Sequence, residues 1–211
     1  TRTEGGSDDY LPIKQRVANW CRFEDREAYI LMAFSRRKFN PDITHNKEVI
    51  HRPIITSEDD IDDQVDDILA LVNRHELNFR IYLTVNPRDI VSAYHAFTQE
   101  LVDWSESLYN GDTGVHTKME RISSEWKSML HKQEHKADSL FQFDVDDVTE
   151  QEAWEFHNAL SEETDVVGFV ETPNGYHIMS KPFNYTEWDA PVEYDDLDTD
   201  GMLHVAAINN D

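Results

Sequence analysis

With 211 residues, 39% of them hydrophobic and 11% aromatic, the chain is long enough to bury a substantial core in one α/β domain or two small ones, which excludes disorder throughout. Its 43 acidic and 19 basic residues leave a formal charge of −24, which excludes a protein that coats nucleic acid by neutralising phosphates and confines any such contact to local patches. The single cysteine, Cys21, excludes a disulfide framework or a cysteine-built zinc cage, and no apolar run approaches the roughly 20 residues that cross a bilayer, so a cytoplasmic protein without a membrane partner is expected.

Residues 1–9, rich in Gly, Ser and Asp, read as a flexible tail without an apolar signal core. Residues 10–110 are expected to form an N-terminal α/β subdomain. Leu11, Val17 and Trp20 predict a short helix, Ala28–Phe34 is a continuous apolar run suited to a buried strand, and Val49–Thr56 reads as a second strand that Pro53 places at an edge or bulge. Ser57, with Asp60 three residues on, resembles a capped helix start, and Ile61, Val65, Ile68, Leu69 and Val72 follow at helical spacing. Phe79–Val85 alternates as a strand, and after Asn86-Pro87 a helix carries Ile90, Tyr94, Phe97, Leu101, Trp104 and Leu108 on one stripe.

The glycine-bearing segment Asn110–Gly114 and a polar helix at Thr117–Lys136 form an expected connector over 111–138. Within 139–211 the order changes to strand (Leu140–Asp146), helix (Glu150–Leu160), strand (Val166–Glu171), turn, strand (Tyr176–Ser180), a long loop and a last strand (Met202–Ile208). These elements predict a single mixed or antiparallel sheet with its helices on one side.

The acids are scattered over nearly every segment, and only eight of the 19 basic residues are lysines. Such a surface suits concentrated salt, where the Debye length falls to roughly 3 Å at 1 M and self-repulsion is screened; an acidic mimic of nucleic acid is the alternative.

Asp144 and Asp146, two apart on a predicted strand, point to one face, roughly 7 Å apart, where two carboxylates can hold a hard cation such as Mg2+ or Mn2+; a charged strand end of a halophilic protein is the plainer explanation. Thr172–His177 sets a tight turn before a strand. Asn174-Gly175 there allows positive φ and close approach of the backbone to a ligand, His177 can donate to a phosphate, and Lys181 can meet a triphosphate as a point charge. A hairpin with a core histidine and an exposed lysine accounts for the same residues.

Asp-x-Asp on a strand, a Gly-x-His strand about 30 residues later and a further acid beyond it resemble the archaeo-eukaryotic primase (primase-polymerase) superfamily, and Arg80–Arg88 and Thr172–Ile178 are similar to segments of small phage and plasmid proteins at its edge. The resemblance spans Ala28–Ile208 in order of elements. It implies an α/β (α+β) fold in which an N-terminal α/β unit packs on an RRM-like palm sheet, and a nucleotidyltransferase of replication or repair in a virus, plasmid or archaeal host. In such an enzyme Asp144 and Asp146 bind two divalent metals and His177 contacts the phosphates of a nucleoside triphosphate, giving a catalytic set of Asp144, Asp146 and His177 and a nucleotide site of Asn174, Gly175, His177 and Lys181. A third metal-binding acid is also implied. Asp189, Glu193, Asp195, Asp196, Asp198 and Asp200 qualify by order, and Asp200 is chosen because it directly precedes a predicted strand.

Arg36, Arg37, Arg80 and Arg88 keep positive charge in an acidic chain and are expected either to line a groove for single-stranded or primer–template nucleic acid or to pair with surface carboxylates. A replication helicase is a further expected partner. His131 and His135 have a spacing that can chelate zinc but read better as part of an exposed polar helix. The rival functions are a non-catalytic nucleotide- or DNA-binding accessory protein and a halophilic viral structural or interaction protein.

Overall fold

The computed structural model describes residues 11–38, 40–41 and 47–209, with side chains except at 47–50; the expected tail at 1–9 lies outside them. In chain order the elements are α1 (Leu11–Trp20), β1 (Glu27–Arg36), β2 (Lys47–His51), β3 (Ile54–Ile55), α2 (Ile61–Val72), β4 (Phe79–Thr84), β5 (Arg88–Asp89), α3 (Ile90–Tyr109), α4 (His116–Glu120), α5 (Ile122–Leu130), β6 (Phe141–Asp146), α6 (Glu150–Glu163), β7 (Val166–Glu171), β8 (Gly175–Ser180), β9 (Asp196–Asp198) and β10 (Met202–Ile208). This is the mixed α/β composition expected. Among the described residues no helix is long and apolar enough to cross a membrane.

Two antiparallel sheets organise the molecule. The larger runs β10-β4-β1-β2, with β3 and β5 also pairing β1, and the smaller runs β7-β8-β6-β9. Strand β1 sits centrally because eight of its residues, Ala28–Ser35, are buried on both faces. Tyr29, Leu31 and Ala33, together with Phe79, Ile81 and Leu83 of β4, pack on Val17 of α1 and on Val65, Ile68, Leu69 and Val72 of α2. The opposite pleat, Ala28, Ile30, Met32 and Phe34, meets Ala93 of α3 and Leu130 of α5. The smaller sheet buries Phe143, Val145 and Ile178 against Phe156 and Leu160 of α6, which starts in a reciprocal cap between Thr149 and Glu152 worth about 1 kcal/mol.

Several expectations are corrected. The last strand does not join the small sheet: β10 returns across the molecule to pair with β4, His204 opposite Tyr82 and Leu203 opposite Leu83, because its alternate apolar residues Leu203 and Val205 complete the larger core. Pro53 divides the expected second strand into β2 and β3, its carbonyl accepting from Leu31 N–H (3.0 Å) while its own nitrogen has no hydrogen to give. Ser57 makes no side-chain cap; Asp60 instead accepts from the Thr56 N–H (3.1 Å). The polar helix breaks at Arg121, with φ −108° and ψ 26°, into α4 and α5. His131 then lies just past α5 and His135 in a separate 3-10 turn, where Nδ1 pairs with Ser92 Oγ at 2.9 Å, so the two histidines do not share a helix.

Candidate functional site

Strand register builds the site. Asp144 lies opposite His177 of β8 on one side and opposite Asp196 of β9 on the other. Directly opposed residues of an antiparallel pair share a face with Cα atoms about 4.5–5.5 Å apart, so His177, Asp144 and Asp196 form one row across three strands, with Asp146 one pleat further along β6. His177 Nε2 stands 3.3 Å from Asp144 Oδ1. The ring is 8% exposed, and its Nδ1 is buried without a hydrogen-bond partner.

Asp195 holds β9 against β6: its N–H donates to Asp144 O (2.8 Å), and its Oδ2 accepts from Asp146 N–H (3.1 Å). Burial pushes the Asp146 carboxyl above the usual range, and the charges of Asp144 and Asp195 push it further, against a smaller opposing pull from His177. Like charges are therefore crowded on this face.

The larger sheet forms the facing wall. Tyr82 and His204 are register partners whose rings meet edge to face at 5.5 Å. Burial raises the Tyr82 hydroxyl; Arg36 and Arg80 oppose that rise, and Asp144 and Asp146 add to it, so both carboxylates act across the gap between the sheets. His204 is 6% exposed, and neither ring nitrogen has a hydrogen-bond partner. Burial, reinforced by His177, Arg16 and Arg80, depresses it to about 4, so the ring is neutral at physiological pH. A groove of about 370 Å3 between α1 and β7, lined by Arg16, Trp20, Gly168 and Leu203, includes none of these acids.

Of the residues singled out in the sequence, Asp144, Asp146 and His177 are brought together. Asp200 is not. Its carboxylate is taken by Arg88, which is fully buried: Nη1 donates to Oδ2 at 3.1 Å and Nη2 lies 2.7 Å from Oδ1. Neither the third-acid role of Asp200 nor the groove role of Arg88 survives that pairing. The acid that register sets beside Asp144 is Asp196.

Gly175 has no positive φ, contrary to expectation. A Cβ there would lie 2.1 Å from Val145 O and 2.7 Å from Asp146 Cα, so glycine is required for the approach of β8 to β6 rather than to a ligand. Asn174 is exposed in the turn, and its carbonyl accepts from Asp147 N–H (3.0 Å). Lys181 lies beyond the other end of β8, where its Nζ pairs with Asp165 Oδ2 at 2.8 Å, away from the carboxylates. Arg36 and Arg37 are exposed, Arg36 with its guanidinium carbon 5.8 Å from the Phe34 ring centre, and Arg80 Nη1 donates to Asn209 Oδ1 (3.2 Å).

Two neighbours escaped the sequence, and Asp196 qualified there by order without being chosen. Asp196 sits in a three-residue strand whose only apolar signal is Leu197, while Tyr82 and His204 become part of the site only through the pairing of β10 with β4. Among the described residues no three acidic, histidine or cysteine side chains stand close enough together to enclose a metal ion. Comparison with protein-family models, with curated proteins and with solved structures gives no match.

Proposed function

We propose that the face carrying Asp144, Asp146 and His177 is the site of metal-dependent nucleotidyl transfer from a nucleoside triphosphate to a nucleic-acid end, in replication or repair. The observation that carries this reading is the register pairing of Asp144 with His177, which sets an imidazole and two carboxylates on one wall between the sheets. The donor set fits Mg2+ or Mn2+. It is made of hard oxygens, and the Asp146 carboxyl is raised first by burial and then by the charges of Asp144 and Asp195, an ionised form that a cation stabilises. One or two carboxylates suffice for such ions when substrate phosphates complete the shell, consistent with a site that has no third enclosing ligand of its own.

When bound, the cation activates the attacking hydroxyl and offsets charge on the triphosphate. The chain's own groups position it. Asp195 fixes the end of β6 through one main-chain and one side-chain hydrogen bond to its backbone, and His177 steadies Asp144 at 3.3 Å. With the Asp144 contact released to a substrate, Nε2 can donate to a phosphate oxygen. Tyr82 and neutral His204 restrict water on the facing wall.

A second reading rests on the pairing of Asp200 with Arg88, which removes one acid from the metal set: a protein that binds nucleotide or nucleic acid without turning it over. Nucleotide incorporation onto primed and unprimed single strands, with Mg2+ or Mn2+ and from low to molar KCl, separates the two. Incorporation abolished by Asp144→Asn with Asp146→Asn supports transfer; nucleotide binding without incorporation supports the accessory role; neither activity nor binding overturns both.

A further inference from the structure

Six cations of this acidic chain stand against carboxylates. Lys14, Arg88, Lys118, Arg121, Lys132 and Lys181 each lie within 4.0 Å of a carboxylate. Among the remaining cations, one cluster is half-buried. Arg52, just past β2, directs Nη2 onto α5, donating to Ser124 O (3.3 Å), Ser124 Oγ (3.2 Å) and Ser128 Oγ (3.1 Å). Lys127 stands on the same turn of α5 between those serines, and His51 precedes Arg52. Among the described residues neither Arg52 nor Lys127 forms an ion pair. Glu125 acts on Arg52 only from further off and is turned to Arg121 at 3.6 Å.

Both side chains are half-buried, and the three groups act on one another. Burial and then Arg52 lower Lys127, burial lowers Arg52, and burial and then Lys127 lower His51, with Asp67 opposing at His51. Two half-buried cations facing each other are unfavourable unless an anion joins them.

We infer that Arg52, Lys127 and the Ser124 and Ser128 hydroxyls form a contact site for the phosphodiester backbone of single-stranded nucleic acid. The guanidinium is held by Nη2 on the serines, which leaves Nε and Nη1 as separate single-point donors to phosphate oxygens, and the ammonium and hydroxyls supply the remaining donors. Strand geometry points to a polymer rather than a free anion. Register sets Arg36 against Lys47 at one end of β2 and Ala33 against His51 at the other, so basic positions recur about 13 Å apart along one sheet edge. A single phosphate does not span that length. The site deepens the reading above, resting on its nucleic-acid substrate but not on the carboxylate pair.

The test is fluorescence anisotropy of a labelled single-stranded oligothymidylate against KCl concentration, over the range in which circular dichroism shows the chain folded. Arg52→Gln with Lys127→Gln is compared with Lys118→Gln with Lys132→Gln, which makes the same charge change at two exposed, paired lysines. The expected result is weaker binding by the first variant only. Its slope of log affinity against log salt should be shallower by about 1.4, two phosphate contacts at about 0.7 each. Unfolding midpoints should be unchanged, and the slope should be kept in Asp144→Asn with Asp146→Asn. No binding by the wild type, an unchanged slope in the first variant, an equal loss in the control, or displacement of the strand by inorganic phosphate at matched ionic strength overturns the assignment. Incorporation absent while this binding persists refutes the transferase reading and leaves the site standing.

Discussion

Arg88 and Asp200, 112 residues apart in sequence, meet in a two-point ion pair whose guanidinium is wholly buried. The pair ties the segment entering β10 to the corner between β5 and α3. Removing one member leaves the other charge buried without its partner, so Asp200→Ala should destabilise the fold by about 3–5 kcal/mol in denaturant titration, while Arg88→Met with Asp200→Leu should cost much less. A variant Asp200→Ala of unchanged stability that had lost only cation binding would restore Asp200 to the metal set.

Asp146 should show the opposite sign. Its carboxyl is raised in the fold, so the folded state binds its proton more readily than the unfolded chain, and stability falls as pH rises through that window. Asp146→Asn should therefore raise the melting temperature at neutral pH while abolishing the upward shift that Mn2+ gives the wild type. Thermal scans with and without the ion check both halves; a lower midpoint for the variant without metal would contradict the crowding of charges on this face.

Acid should act through His204. Its folded value of about 4 lies below the ordinary 6.5, so its contribution is fully present above pH 6.5 and is lost as pH falls toward 4, on the order of 3 kcal/mol at most. His51 and His135 are also lowered by burial and act in the same direction. His204→Phe keeps a ring against Tyr82 and removes the proton site, so unfolding free energies from pH 7 to 4 should fall less steeply for the variant. Parallel curves would exclude His204 as the source.

Two glycines should behave differently when given a methyl group. At Gly175 the new carbon meets backbone, Val145 O at 2.1 Å, and cannot be relieved without parting β6 from β8; at Gly201 it meets the Gln142 side chain, with Oε1 at 2.5 Å. Gly175→Ala should cost several kcal/mol and weaken the Mn2+-induced shift by moving Asp146, and Gly201→Ala should cost less because part of that side chain can turn away. Chemical denaturation of the two variants gives the comparison.

What the sequence conveyed followed from local period. The alternation of Phe79–Val85 and the same-face placement of Asp144 and Asp146 needed only the two-residue repeat of a strand, and the five apolar residues of α2 needed only helical spacing. The meeting of Asp144 with His177 was expected only through the family resemblance, because α6 and β7 separate β6 from β8 and no local pattern pairs them. The choice of Asp196 among the six acids that qualified by order was not legible, because a strand as short and acidic as Asp196–Asp198 has almost no apolar signature. The return of β10 to β4 depends on which sheet lacks an edge, which no local pattern records. Arg88 was read as a surface cation because arginine is rarely buried whole, and only its partner 112 residues away makes that burial tolerable.

The position of β10 also sets the order in which the molecule can assemble. The segment carrying the whole small sheet, Phe141–Asp198, is threaded between β4 and the strand that finally covers it. On the ribosome, the backbone groups along that flank of β4 stay open until the intervening residues 85–201 have emerged, exposing a template for wrong pairing over that interval. Negative charge distributed over nearly every segment keeps nascent copies apart during that interval.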